Sequence, residues 1–186
     1  MLVCLDVDYR ATAAGERAVA AAVVVSDPGS DVAAHEITVA VDDIAAYVPG
    51  AFFERELPCL LAVLDAVVAV VGIAAFTIVV DAHVWLGDHP GLGQRLYQAW
   101  RSRHVDKGSA DVVVVGVGKT AWHDTSAHRA VVRGEAKALW VSSAGLDVDV
   151  AAPLIESMHG PYRLPTLLKR VDRLCRDTPL PEREPA

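Results

Sequence analysis

Two short apolar runs that end on aspartates constrain this chain more than any other feature. Leu2 to Val7 runs into Asp6 and Asp8, and Phe76 to Val80 runs into Asp81. Both runs are too short for buried helices and read as buried strands. A carboxylate at such a place costs free energy unless it is paired or binds a metal. The carboxyl ends of strands are also where α/β sheets place their sites. A third apolar run, residues 111–115, leads into Gly116-Val117-Gly118-Lys119.

The segments between these runs supply the rest of a sheet and its helices. Ala18 to Val25 and His35 to Val41 are rich in β-branched residues and flank Asp27-Pro28-Gly29-Ser30, a turn between two hairpin strands. A helix opens at Glu56-Leu57-Pro58, with Pro58 in its first turn, and runs to Val71 before Gly72. Gly93 to Arg103, Asp149 to Met158 and Pro165 to Arg176 are expected helices, and Leu139 to Ser142 a short strand. An antiparallel three-strand start followed by βαβ crossovers predicts an α/β fold: a mixed sheet with helices on both faces. Residues 1–177 are expected to form a single domain, and 178–186, rich in Pro and charge, a flexible tail.

Composition excludes several classes. The AVILMFWYC group makes up 53% of the 186 residues, ample for a packed core and unlike a disordered chain. The longest apolar run, Ala62 to Phe76, is broken by Asp65 and Gly72, so no membrane partner is expected. With no secretory signal visible, and Cys4, Cys59 and Cys175 scattered and outside any CxxC pair, a reducing cytoplasm is the expected location. No heptad seam or interface stripe appears, and a monomer is expected. The net charge of −7 argues against a generic DNA-coating protein. Yet residues 1–90 hold three basic side chains against thirteen acidic, while 91–186 hold fourteen against eleven. Such asymmetry hints at an anionic partner.

Five constellations carry candidate chemistry. Asp6, Asp81 and Glu56, the last beside Arg55, offer hard oxygen ligands without a Cys or His cluster, which suits Mg²⁺, with Mn²⁺ as a substitute. Asp81-Ala82-His83, followed by His89-Pro90, is either an acid–base and phosphate-binding segment or an ordinary loop. Gly116-Val117-Gly118-Lys119 is a phosphate-binding turn or a Gly-rich strand exit; it lacks P-loop spacing. Tyr47-Val48-Pro49-Gly50 is a base-stacking wedge or a Pro-Gly turn. Tyr162-Arg163-Leu164-Pro165 precedes a helix bearing Lys169, Arg170, Arg173 and Arg176, opposed only by Asp172. That helix is a phosphate track or a solvated face.

Taken in order, these segments resemble the endonuclease V family, from about residue 2 to 172. Leu5-Asp6-Val7-Asp8-Tyr9 resembles its first-strand Asp motif. Tyr47-Val48-Pro49-Gly50, with Arg55-Glu56 and Pro58, resembles its Tyr-Ile-Pro-Gly loop and Arg-Glu pair. Val80-Asp81-Ala82-His83 with His89-Pro90, then Gly116-Val117-Gly118-Lys119, then Tyr162-Arg163-Leu164-Pro165 resemble its later motifs. The chain would be a short, divergent member starting at the first strand. The resemblance implies an RNase H-like fold and Mg²⁺-dependent hydrolysis of a phosphodiester bond 3′ to inosine in DNA or RNA. It implies Asp6, Glu56 and Asp81 as metal ligands and catalytic residues, with Lys119 stabilising phosphate charge. Tyr47, Pro49, Gly50, His83, His89, Lys119, Tyr162 and Arg163 would meet the nucleic acid. Gly118 replaces the family's Ala, and Gly145-Leu146-Asp147 stands where the family has Gly-His-Arg. With that His absent, Asp147 is a candidate extra acidic residue, and a catalytically weak nucleic-acid-binding relative is the alternative reading.

Overall fold

The strands form one seven-stranded sheet in the order β3-β2-β1-β4-β7-β9-β8. The structure is a computed structural model that describes residues 1–13, 15–72, 75–104, 112–134 and 137–182. The strands are β1 (Leu2–Thr12), β2 (Gly15–Val25), β3 (His35–Val41), β4 (Phe76–Val80), β7 (Val112–Gly118), β8 (Arg129–Val131) and β9 (Leu139–Ala144). A separate two-stranded hairpin joins β5 (Trp85–Leu86) to β6 (His89–Pro90). The helices are α1 (Phe53–Val71), α2 (Leu92–His104), α3 (Val148–Ser157) and α4 (Thr166–Asp177).

The first three strands are antiparallel neighbours, while β1, β4 and β7 run parallel at the centre. This is the mixed sheet that the apolar runs predict. Alternation along β1 explains how it is sandwiched. Val3 and Leu5 pack with α1 and α2, and Leu2 and Cys4 with α3 and α4. Each fully buried Val or Leu contributes about 1.5–3 kcal/mol relative to exposure. The central strands, apolar on both faces, therefore fix the order of the sheet. No described helix is long and apolar enough to cross a membrane.

Several boundaries differ from expectation. β1 continues to Thr12, paired with β2 down to Gly15. α1 begins at Phe53, where the carbonyls of Ala51 and Phe52 accept its first amides. Pro58 therefore stands inside the helix, with the aromatic side chain of Phe53 packed on the core ahead of it. The hairpin β5–β6 turns at Gly87 (φ 66°), and β8 has only three residues, too few for a periodic signal. Asp111, expected to begin β7, lies outside the described residues. The segment after α4 is tied down as far as Pro181. Arg10 Nη1 donates to Thr178 O (2.7 Å), Arg17 Nη1 to Pro181 O (2.7 Å), and Leu180 packs on the core. Residues 183–186 lie outside the described residues.

Candidate functional site

Strand register builds the site. The parallel pairing of β1 with β4 ends at Leu5 opposite Val80, so Asp6 and Asp81 emerge together one residue beyond it. The pairing of β4 with β7 ends at Val80 opposite Gly116, which brings Lys119 to the same end of the sheet. Glu56, on the first turn of α1, reaches this cleft from the side. Asp6, Glu56, Asp81 and Lys119 all line it. The four residues that sequence reading grouped are thus brought together.

The cleft gains an acid that sequence reading set aside. Asp172 of α4 lines it as well. Asp6 shares the strand face of Cys4, which packs toward α4, and its charge feels Asp172. In the sequence Asp172 is the one acid on a basic helix. Its place became predictable only from the stripe Leu168, Val171 and Cys175, which seats α4 on the sheet beside β1.

Burial and mutual repulsion dominate the electrostatics. Burial pushes the Asp6 carboxyl up from 3.8 to about 6; Asp172 and Asp81 add to this, while the Val7 amide and Lys119 oppose it. Burial pushes Glu56 up from 4.5 to about 8, again with Asp6 and Asp81 adding and Arg55 opposing. Glu56 Oε2 is buried without a hydrogen-bond partner among the described residues. Two cations offset the cluster. Lys119 Nζ is ion-paired with Asp81, and Arg176 Nη2 lies 2.7 Å from Asp172 Oδ1. Arg55 itself is turned away, with Nη2 2.8 Å from Glu16 Oε1 and its guanidinium 4.0 Å from the Tyr9 ring centroid. Among the described residues, no three His, Cys, Asp or Glu side chains converge closely enough to hold a metal ion as they stand.

The Lys119 turn rests on close packing at two glycines. A Cβ on Gly116 would meet Ala82 O at 2.3 Å, and one on Gly118 would meet His83 Cε1 at 2.1 Å. The bare backbone there lets the Asp81-Ala82-His83 segment lie against β7. His83 is held by two contacts, Nδ1 to His128 Nε2 (3.0 Å) and Nε2 to Thr120 O (3.1 Å). His128 is buried, and sequence reading did not single it out. Burial is the main cause that holds both imidazoles below their ordinary range, and the neighbouring His83 adds to it at His128.

The remaining candidates divide. Tyr47 is exposed beside the cleft and stacks edge-on against Phe52 (6.5 Å), which stacks in turn on Tyr9 (6.2 Å). Pro49 and Gly50 form the turn between them, Gly50 with φ 83°. Tyr162 is exposed, with Lys169 Nζ 3.9 Å from its ring centroid. Arg163 is engaged with the backbone in this chain. Its Nη2 donates to the carbonyls of Lys119 and of Ala138 (2.8 Å), so it braces the Lys119 turn from behind. His89 lies on the β5–β6 hairpin beside Asp88, outside the residues that line the cleft. Asp147 is also outside it. Its side chain accepts the Asp149 amide (2.8 Å) and caps α3, as an Asp before a helix does when the first amides need an acceptor. Leu146 packs against the core on the α3–α4 face.

No protein-family model matches the chain, and no curated protein sequence does. Solved structures do. The Ciona intestinalis endonuclease V in complex with a 24-mer DNA containing an inosine followed by a ribo-adenosine matches at TM-score 0.73 and 16% identity, over 95% of this chain and 84% of that one. The catalytic domain of human endonuclease V matches at 0.71 and 20%, over 95% and 80%. The Streptomyces avermitilis endonuclease V matches at 0.62 and 24%, over 95% and 79%. The fold is that of endonuclease V. It is an RNase H-like α/β fold, and Asp6 and Asp81 stand just beyond the end of its central β1–β4 pairing, with Glu56 on α1 and Asp172 on α4. The endonuclease V fold thus places Asp6, Glu56, Asp81 and Asp172 in one cleft of this chain, with Lys119 and Arg176 at its edges.

Proposed function

We propose that this chain is an endonuclease V family member, a Mg²⁺-dependent endonuclease that hydrolyses a phosphodiester bond 3′ to inosine in DNA or RNA, acting as a monomer in the cytoplasm. One observation carries the reading. Four carboxylates crowd a single cleft, and one of their oxygens, Glu56 Oε2, is buried with no partner. Such a cluster stands against its own repulsion and is stabilised when a cation joins it.

The donor set fits a hard divalent ion: all oxygen, all carboxylate, with no thiolate and no imidazole lining the cleft but the buried Cys175 at its wall. Asp6, Glu56, Asp81 and Asp172 would hold it. When bound, Mg²⁺ or Mn²⁺ activates water for attack at phosphorus and stabilises the leaving oxygen.

The chain's own side chains do the rest. Lys119 brings positive charge to the phosphate, on a turn that Arg163 braces through the Lys119 carbonyl. Tyr47, exposed and backed by Phe52, would stack between bases and open the strand. Pro49 restricts that loop, so less conformational freedom is lost when it engages. The inosine preference draws support from the Ciona relative, whose bound DNA contains that base.

A nicking assay tests the proposal. End-labelled single-stranded DNA and RNA, each with one central inosine, are incubated with Mg²⁺, Mn²⁺ or EDTA, beside Asp81→Asn. Cuts 3′ of inosine that need the metal and vanish in the variant are expected. Wild-type cleavage by a folded Asp81→Asn protein would overturn the site. A folded wild type that binds metal and never nicks would overturn the activity.

A further inference from the structure

α4 lines the cleft with Asp172, Cys175 and Arg176, and its two charged members, Asp172 and Arg176, lie one turn apart and are ion-paired. Its other basic residues, Lys169, Arg170 and Arg173, are not among the residues that line the cleft. Lys169 lies over the Tyr162 ring, and Arg170 is ion-paired with Glu36 and donates to Asp31 O (3.1 Å). Arg176 alone among the basic residues of α4 shares the cleft with the carboxylates.

The backbone under Arg176 is fixed while its side chain is free to move. Arg10 Nη2 donates to Cys175 O (2.6 Å) and Arg176 O (2.7 Å), and its Nη1 to Thr178 O (2.7 Å). That guanidinium caps the carbonyls the helix end leaves open. It is itself oriented by Asp8, with Nε 2.8 Å from Oδ2. β1 therefore grips the end of α4 through Arg10, four residues from Asp6. The Arg176 side chain is nevertheless 65% exposed. Its contact with Asp172 is a surface pair, weak enough to exchange.

Lys119 on Asp81 and Arg176 on Asp172 are matching arrangements, one at the β7 edge of the cleft and one at the α4 edge. Each cation neutralises a carboxylate that a divalent ion would need. A divalent ion and a guanidinium compete for the same Asp172 oxygens. Once displaced, the guanidinium presents a planar fork of donors that matches two phosphate oxygens, at the mouth of the cleft where a strand must pass.

We infer that Arg176 is a second phosphate-binding residue, held by Asp172 as an internal counter-ion and released to the nucleic-acid backbone when a divalent cation takes Asp172. This rests on the nuclease reading for its ligand. It assigns to Arg176 two effects of opposite sign: it weakens metal binding and strengthens nucleic-acid binding.

Full-length wild type, Arg176→Gln and Arg176→Lys are compared in two assays, neither of which requires turnover. Calorimetric titration of the protein alone with Mn²⁺ should show tighter binding in Arg176→Gln, about two- to five-fold, the range of an exposed ion pair. Fluorescence anisotropy with an inosine-containing single strand in Ca²⁺ should show about ten-fold weaker binding in the same variant. Its salt dependence should fall by about 0.7 in log–log slope, one phosphate contact fewer. Arg176→Lys, which keeps the charge, should recover most of both. Unchanged values in either assay, or changes of the same sign in both, would overturn the inference. A wild type that binds Mn²⁺ but no nucleic acid would overturn the nuclease reading and the phosphate role with it. The Mn²⁺ titration would still report whether Arg176 competes for Asp172.

Discussion

Replacing Glu56 by Gln should abolish cleavage and yet stabilise the metal-free protein at alkaline pH. The carboxyl is pushed up from 4.5 to about 8 by burial and by Asp6 and Asp81. Because the folded state holds that proton more tightly than the unfolded chain, the stabilising contribution is complete below pH 4.5. It is lost as pH rises through 8. Between pH 6 and 8.5, above the value of about 6 that Asp6 takes, the Glu56 carboxyl alone should remove about 2 kcal/mol, after discounting for its partial contact with solvent. For a chain of this size that is about 4–8 °C in melting temperature. Thermal unfolding in EDTA at the two pH values measures it directly. The wild type should lose that much on going to pH 8.5, and Glu56→Gln less than half as much. Mg²⁺ should restore the wild type at pH 8.5 and leave the variant nearly unmoved. An identical pH dependence in both proteins would refute the idea that the cluster is strained by its own charge.

Two further perturbations probe the support of Lys119. Arg163→Ala removes the donors to the carbonyls of Lys119 and Ala138. It should cost about 1–3 kcal/mol in chemical denaturation and lower cleavage more than substrate binding, because the turn and not the strand contact is lost. An effect on substrate binding alone would show instead that Arg163 meets nucleic acid. Gly118→Ala places a methyl 2.1 Å from the His83 ring. The ring must leave His128 and Thr120, at about 1–3 kcal/mol, and the histidine nitrogen resonances in NMR should report the broken pair. Unaltered resonances and stability would show that the turn yields without moving His83.

What was legible in the sequence depended on locality. Asp6 and Asp81 could be paired from two apolar runs, because parallel strands buried on both faces align their ends. Lys119 followed from the same logic one strand further. Asp147 lies outside the cleft because an Asp just ahead of a helix has a local task, and the amide of Asp149 claims its oxygen. The bracing contacts of Arg163 were not legible, because nothing in a Tyr-Arg-Leu-Pro string reveals that its guanidinium folds back on carbonyls 44 and 25 residues away. Asp172 was missed for the complementary reason. Its place depends on how a helix at the end of the chain seats against the first strand, and its immediate neighbours are basic.

That seating gives the uneven charge of the chain a physical meaning. The acidic first half supplies Asp6, Glu56 and Asp81, and by itself would assemble a cleft with uncompensated negative charge. The second half supplies Lys119 and Arg176, each already paired with one of the carboxylates. Asp172 comes from that same basic half and completes the acidic set, delivered by a helix whose end is held to β1 by Arg10. The pairing reconciles two demands that conflict. A nuclease cleft needs concentrated negative charge for a cation and positive charge for a phosphate. On the proposed reading, ion pairs that satisfy both sets in the free protein would exchange when cation and phosphate arrive together, and one small cleft would hold both without the full repulsion of either.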